Sequence, residues 1–240
     1  VLRGDVRESD VRAVRKVHVA SMALGKLGFN DRVVQHADVK GFDSDRVPAE
    51  TLAVARTVIE FTDSWQDTSS FDLGAYQRMD ALRSSTRELS WRAGKSKRDG
   101  YFTVDTAATK AVVGFAQGQS HQLGQVQLSL QCPFAALYVT ALGPDEDISG
   151  AKKLLVVALA RVRNTGMRLN ETEDAVLEPG SGPVLMEAVR AHIKLGRSGT
   201  PKVHILDHDG RRTGRTLKVR DKAFEIDGIK DRSPYYLVEY

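Results

Sequence analysis

From residue 100 onward the chain alternates apolar and polar residues with a period of two, and most runs close on glycine or proline. In VQLSLQ, Val126, Leu128 and Leu130 fall on one face; Gln127, Ser129 and Gln131 fall on the other. In VRAHIKL, Val189, Ala191, Ile193 and Leu195 alternate with Arg190, His192 and Lys194. Successive strand side chains point to opposite faces, so this pattern predicts strands with one buried and one wet face. LLVVALARV (154–162) starts as a continuous apolar run, which predicts cover on both faces there. Gly118, Gly124, Gly143-Pro144, Gly180, Gly182-Pro183 and Gly199 supply turns between runs. Asp209-Gly210, inside HILDHDGRR, is the strongest hairpin signal.

This reading places strands at 88–91, 101–105, 110–116, 126–131, 134–142, 153–163, 184–195, 202–206 and 216–219, with two more at 223–226 and 235–239 closing the chain. Residues 100–118 are expected to form a hairpin turning at Thr106-Ala-Ala-Thr. Many short strands with glycine turns define the fold class: all-β, an antiparallel β-sandwich of jelly-roll-like type. The expected organisation is an N-terminal β-rich segment (1–62), a long loop (63–87) and a sandwich domain (88–240). Within 1–62, Val11 to Val19 reads as a strand pair or a bulged strand. Pro48 sits where a short helix would start, and Val54 to Phe61 reads equally as a strand. The 63–87 segment is polar and turn-rich, and a loop that long is often functional or lies over another domain.

Composition narrows the function classes. The chain has 240 residues, enough for one large all-β domain or two smaller ones. A net charge of +4 is small for that length and is a solubility bias, not a nucleic-acid signature. Cys132 is the single cysteine, which excludes an internal disulfide. It fits a reducing compartment or a secreted bacterial protein that does without disulfides. No apolar run reaches the roughly 18 residues that a membrane helix needs, and no signal peptide is visible. The chain starts at Val1 without an initiator Met, so the true N-terminus is expected upstream.

No stretch carries a recognisable catalytic motif. Asp207-His208-Asp209-Gly210 resembles half a calcium loop, but the twelfth position, where a glutamate is required, is Lys218. Gly180-Ser-Gly-Pro lacks the lysine of a phosphate loop. Arg3-Gly4-Asp5 reads as a turn. His18, His36, His121, His192, His204 and His208 show no metal-ligand spacing, and Cys132 precedes Pro133 in strand territory; no metal and no cofactor is expected. Glu60, Glu88, Glu187 and Glu239 lie in strand-like runs, where nothing in the sequence pairs two of them across a sugar-sized cleft. Residues 190–222 hold ten Lys/Arg against three Asp, but the cations alternate with apolar residues as on any wet sheet face. Nucleic acid is therefore an unfavoured partner. Aromatic faces suit sugar rings. Trp65, in the long loop, is the better exposed candidate; Trp91, in a strand, is expected in the core.

The order SSTRELSW (84–91), GYFTVDTAATKAVVGF (100–115), PFAALYVTALG (133–143), LLVVALARVRNTGM (154–167), GPVLMEAVRAHIKL (182–195), VHILDHDGRR (203–212) and YYLVEY (235–240) resembles a known pattern. It is similar to the C-terminal β-sandwich region of bacterial TIM-barrel glycoside hydrolases, of the cellulase or β-galactosidase-like kind. Leu2-Arg-Gly-Asp-Val-Arg also resembles the run just past the barrel in those enzymes. Ala107 stands where that pattern has proline, and Arg87 where it has glycine. The resemblance implies a non-catalytic sandwich bracing a TIM-barrel catalytic domain of the same polypeptide, in a secreted or periplasmic parent protein. It carries over no catalytic residue, because barrel enzymes keep their acids at barrel strand ends and no βα-repeat exists here. Two alternatives stay open: a free-standing carbohydrate-binding module with Trp65, Tyr76 and Trp91 as a sugar platform, or a complete small glycosidase with an unrecognised carboxylate pair. A polyanion-binding module using 190–222 is a further one. The sandwich is not expected to be an enzyme by itself.

Overall fold

The computed structural model describes residues 4–18, 46–96, 98–143 and 146–240. It divides into two compact units, Val6–Arg92 and Ala93–Tyr240, with Gly4 and Asp5 belonging to the second.

In the first unit, β1 (Arg12–His18) and β2 (Arg56–Thr62) pair in parallel, from Arg12↔Arg56 to His18↔Thr62. The 11–19 run is thus a single regular strand over its described residues, and the strand reading of 54–61 holds; Val19 lies outside the described residues. The Pro48 segment forms the expected short helix, of 3-10 type, over Ala49–Ala53 with Pro48 at its N-cap. Thr51 Oγ1 donates to the Pro48 carbonyl at 2.8 Å, a local bond that competes with helix propagation. The long loop is without helix or strand over 63–72. It then carries a second 3-10 turn, Leu73–Tyr76, and two very short strands, β3 (Gln77–Arg78) and β4 (Ala81–Arg83). With β5 (Leu89–Ala93) these make an antiparallel meander in which Gln77, Leu82 and Trp91 share one row.

The second unit is the antiparallel sandwich. β6 (Gly100–Asp105) and β7 (Thr109–Phe115) form the expected hairpin. Thr106 closes it: its N–H donates to Thr109 O at 3.0 Å and its Oγ1 accepts from Thr109 N–H at 2.9 Å. The chain continues through β8 (Ser120–Leu123), β9 (Val126–Leu130), β10 (Ala135–Ala141), β11 (Lys153–Leu159), β12 (Val162–Thr165), β13 (Arg168–Leu169) and β14 (Val176–Glu178). After these come β15 (Ser181–Met186), β16 (Arg190–Leu195), β17 (Lys202–Leu206), β18 (Arg212–Leu217), β19 (Ala223–Asp227) and β20 (Tyr235–Glu239). One sheet runs β18-β17-β20-β11-β10-β7-β6 within this unit; the other runs β19-β16-β9-β8.

Two expected strands prove to be pairs. The 153–163 run breaks at Ala160-Arg161, and the 184–195 run breaks at Glu187–Val189. Both breaks mark where the chain leaves the sandwich and returns to it. β8, β13 and β14 were not foreseen, because SHQL, RL and VLE are too short to show a period.

The core lies between the sheets. Val126, Leu128 and Leu130 of β9, Ala191, Ile193 and Leu195 of β16, and Phe224 and Ile226 of β19 form one inner face. Val112, Leu137, Val139, Leu154, Val156, Val203, Tyr236 and Val238 form the other. Tyr236 is 1% exposed, and its hydroxyl donates to Asp231 Oδ2 at 2.9 Å. Burial, reinforced by the Asp231 carboxylate, pushes that hydroxyl's pKa well above its ordinary value. Asp231 belongs to a helical turn, Gly228–Asp231, whose preceding residue Asp227 caps it by accepting from the Ile229 and Lys230 N–H groups. The chain crosses from β18 to β19 through a tight turn at Arg220–Ala223, where Asp221 (φ 50°) and Lys222 (φ 64°) are both left-handed.

Left-handed backbone costs a non-glycine residue roughly 1–2 kcal/mol, whereas a new glycine adds unfolded-state freedom worth about 0.4–1 kcal/mol. The first effect wins at the second turn position, where glycine is the preferred residue. Lys222→Gly is expected to raise stability by about 0.5–1 kcal/mol and the melting temperature by a few degrees. Thermal unfolding followed by circular dichroism checks this; a lowered midpoint counts against the turn geometry.

Candidate functional site

The aromatic candidates all lie in the first unit. Trp65 is 63% exposed in the long loop. Trp91 is 48% exposed, which corrects its expected place in the core: its row also carries Gln77 and Leu82, neither of them buried. Tyr76 stacks on Phe71, with ring centroids 5.6 Å apart and planes at 10°. No ring contact joins Trp65, Tyr76 and Trp91 among the described residues.

Three of the four strand glutamates are held in ion pairs. Glu88 accepts from the Arg7 N–H at 2.8 Å and from Arg7 Nε at 2.9 Å. Glu187 is held by Arg161 through two parallel bonds, Nε to Oε2 at 3.0 Å and Nη2 to Oε1 at 2.7 Å. Glu239 accepts from Arg212 Nη2 at 2.6 Å and has His204 Nε2 at 3.2 Å. Burial tends to raise the Glu239 pKa, but Arg212, Lys153 and His204 outweigh it and hold the carboxyl below the usual range. Glu60 is exposed; it stands in register with Lys16, whose ammonium donates to Gln66 Oε1 at 2.7 Å. Among the described residues, no three His, Cys, Asp or Glu side chains gather to hold a metal ion; His36 lies outside them. Cys132 is a buried free thiol, and burial pushes its pKa up.

The feature with the clearest physical demand was not foreseen. Between β11 and β16 the chain leaves the sandwich as a two-stranded ribbon. β12 pairs with β15 (Val162↔Met186, Arg163↔Leu185, Asn164↔Val184), and β13 pairs with β14 farther out. Side chains opposite each other share a face, so Val162, Val184 and Met186 lie on one face and Leu185 lies on the other. Val162, Val176, Leu177, Val184 and Leu185 are each between 56% and 63% exposed. At the ribbon's root a half-open cavity of about 330 Å³ continues this surface, lined by Met186, Val189, Ile229 and Pro234 with His208 and Arg232.

Polar chemistry fixes the ribbon's shape. Asn164 Nδ2 donates to the Pro179 carbonyl at 3.0 Å, and Thr165 Oγ1 donates to the Pro183 carbonyl at 2.8 Å. Gly180 is left-handed, and a Cβ there would come within 2.4 Å of the Thr165 carbonyl oxygen, so only glycine fits. At the tip, Asn170 Oδ1 accepts from the N–H groups of Asp174 and Ala175. Glu173, from the same turn, folds back onto three guanidinium groups. It takes Arg163 Nη2 at 2.8 Å, Arg98 Nη2 at 2.7 Å and Arg161 Nη1 at 3.4 Å. Arg161 also lies over the Phe115 ring, 5.7 Å from its centroid. The hydrogen bond from Arg163, then that from Arg98, holds the Glu173 carboxyl below its ordinary pKa. The Glu187 bond raises that of Arg161. In sequence the ribbon's one signal is VLM (184–186): three successive apolar residues cannot all face one sheet side.

A carboxyl with a lowered folded pKa contributes stability that is complete above the unfolded value and is lost as pH falls through the folded one. Ribbon order is therefore expected to be full at neutral pH and to decline in acid, below the ordinary glutamate range. Glu173→Gln is expected to speed amide exchange of 162–186 at neutral pH while leaving β9 and β16 unchanged. Equal exchange in the variant and the parent would show that the arginine cluster does not order the ribbon.

Comparison with known proteins gives no match: no family model, no curated protein and no solved structure matches this chain.

Proposed function

We propose that this chain supplies a non-catalytic β-sandwich that braces the TIM-barrel catalytic domain of a secreted or periplasmic glycoside hydrolase, with the 162–186 ribbon as its docking element. The observation that carries the reading is the ribbon's composition. A two-stranded ribbon is marginal in water by itself. This one turns valine and leucine side chains outward on both faces, and apolar surface of that kind marks an interaction site. Fully covering one such side chain is worth about 1.5–3 kcal/mol, so five of them make the ribbon costly to leave exposed and favourable to dock. The choice of a glycosidase barrel as partner comes from the segment resemblance, chiefly GYFTVDTAATKAVVGF and ARVRNTGM. Glu88, Glu187 and Glu239 in arginine pairs fit a structural role for the strand acids.

A second reading, a free-standing carbohydrate-binding module, draws on the exposure of Trp65 and Trp91. Polysaccharide retention by the isolated chain that is lost in Trp65→Ala would favour it.

The test compares the 240-residue chain with the full polypeptide its gene encodes. Amides of 162–186 are expected to gain strong exchange protection in the longer protein, and the isolated chain is expected not to turn over aryl β-glycosides or polysaccharides. Unchanged ribbon exchange defeats the bracing reading. Turnover by the isolated chain that a single Asp→Ala or Glu→Ala change abolishes defeats the non-catalytic one.

A further inference from the structure

The outer face of the β19-β16-β9-β8 sheet is polar in a particular way. One cross-strand row runs Glu225, His192, Ser129, Ser120; the next runs Ala223, Lys194, Gln127, Gln122. At a strand spacing of about 4.8 Å, four strands make a strip roughly 14 Å wide. The strip is lined by hydroxyl, amide, imidazole, carboxylate and ammonium groups. At its β19 edge lies a groove of about 370 Å³, bounded by His192, Glu225, Ala223, Phe224, Lys218 and Arg220. Lys218 and Arg220 come from the crossing between the sheets, and the left-handed Asp221-Lys222 turn sets their position. Both side chains are exposed, and neither has a carboxylate partner among the described residues.

We infer that this groove and strip bind an acidic polysaccharide, with Lys218 and Arg220 taking its carboxylate or sulfate groups and the Ser/Gln rows taking its hydroxyls. Three observations favour a glycan over a nucleic acid. No Phe, Tyr or Trp stands on the two outer rows to form the stacking platform that single-strand binders use; His192 is the one ring there. Glu225 sits in the groove, where it can accept from a sugar hydroxyl but would repel a continuous line of phosphates. The hydroxyl and amide groups, Ser120, Ser129, Gln122 and Gln127, match a chain rich in hydroxyls and sparse in charge. A guanidinium fork pairs with a carboxylate in bidentate fashion, so Arg220 is the expected anchor. The inference concerns a face other than the ribbon and does not depend on the bracing reading.

The test is native affinity electrophoresis of the 240-residue chain in gels containing hyaluronate, partly methyl-esterified polygalacturonate or neutral dextran, with a single-stranded oligonucleotide assayed in solution. Retardation is expected with the two acidic polymers and not with dextran. Lys218→Gln/Arg220→Gln is expected to weaken binding at least tenfold. Lys152→Gln/Lys202→Gln removes the same charge elsewhere on the surface and is expected to change binding less than twofold. Glu225→Gln is expected to tighten it, which decides the matter if the first double variant melts early. No retardation by either acidic polymer, equal losses in both double variants, weaker binding by Glu225→Gln, or tighter binding to the oligonucleotide each overturns the inference.

Discussion

The interlocking of two inner sheet faces is the constraint on which the rest of this structure depends. Leu128, Ile193 and Phe224 from one sheet meet Leu137, Val156 and Tyr236 from the other, all nearly inaccessible to water. Because strand side chains alternate, burying this set forces Ser129, His192 and Glu225 outward in a fixed row. The polar strip is therefore a geometric consequence of the core. A one-residue register slip would bury the strip and expose the core, so the packing specifies both at once.

Tyr236 shows how a polar group is accommodated in that layer. Its ring fills core volume while its hydroxyl reaches Asp231, in the turn that precedes β20. A buried hydroxyl left without a partner would cost about 1–3 kcal/mol. The Gly228–Asp231 turn, capped by Asp227, thus places an acceptor where the core needs one.

The ribbon follows a different logic. Its backbone course is set by polar contacts: the Asn164 and Thr165 side-chain bonds, the close approach at Gly180, and Glu173 folded onto Arg98, Arg161 and Arg163. Its apolar side chains contribute little to that shape and remain in water. Rigid polar scaffolding that presents exposed valine and leucine suits a surface shaped to meet another one.

The sequence by itself determined most of the sandwich strands, the antiparallel class, the Thr106 and Asp209-Gly210 turns, and which residues of β9 and β16 face inward. Those features are local: period two and turn chemistry decide them within a few residues. The tertiary structure alone decided the rest. Trp91 lies outside the core because the short β3-β4-β5 meander leaves its row uncovered. The 153–163 and 184–195 runs each divide because both meet at the ribbon's root, where Arg161 bonds Glu187 across 26 positions. Lys218 and Arg220 line one groove with His192 only because the chain crosses between sheets at Asp221-Lys222. Contacts between distant segments leave little trace in a local apolar pattern, so apart from the VLM run the ribbon, like the groove, became visible only once the sheets were assembled.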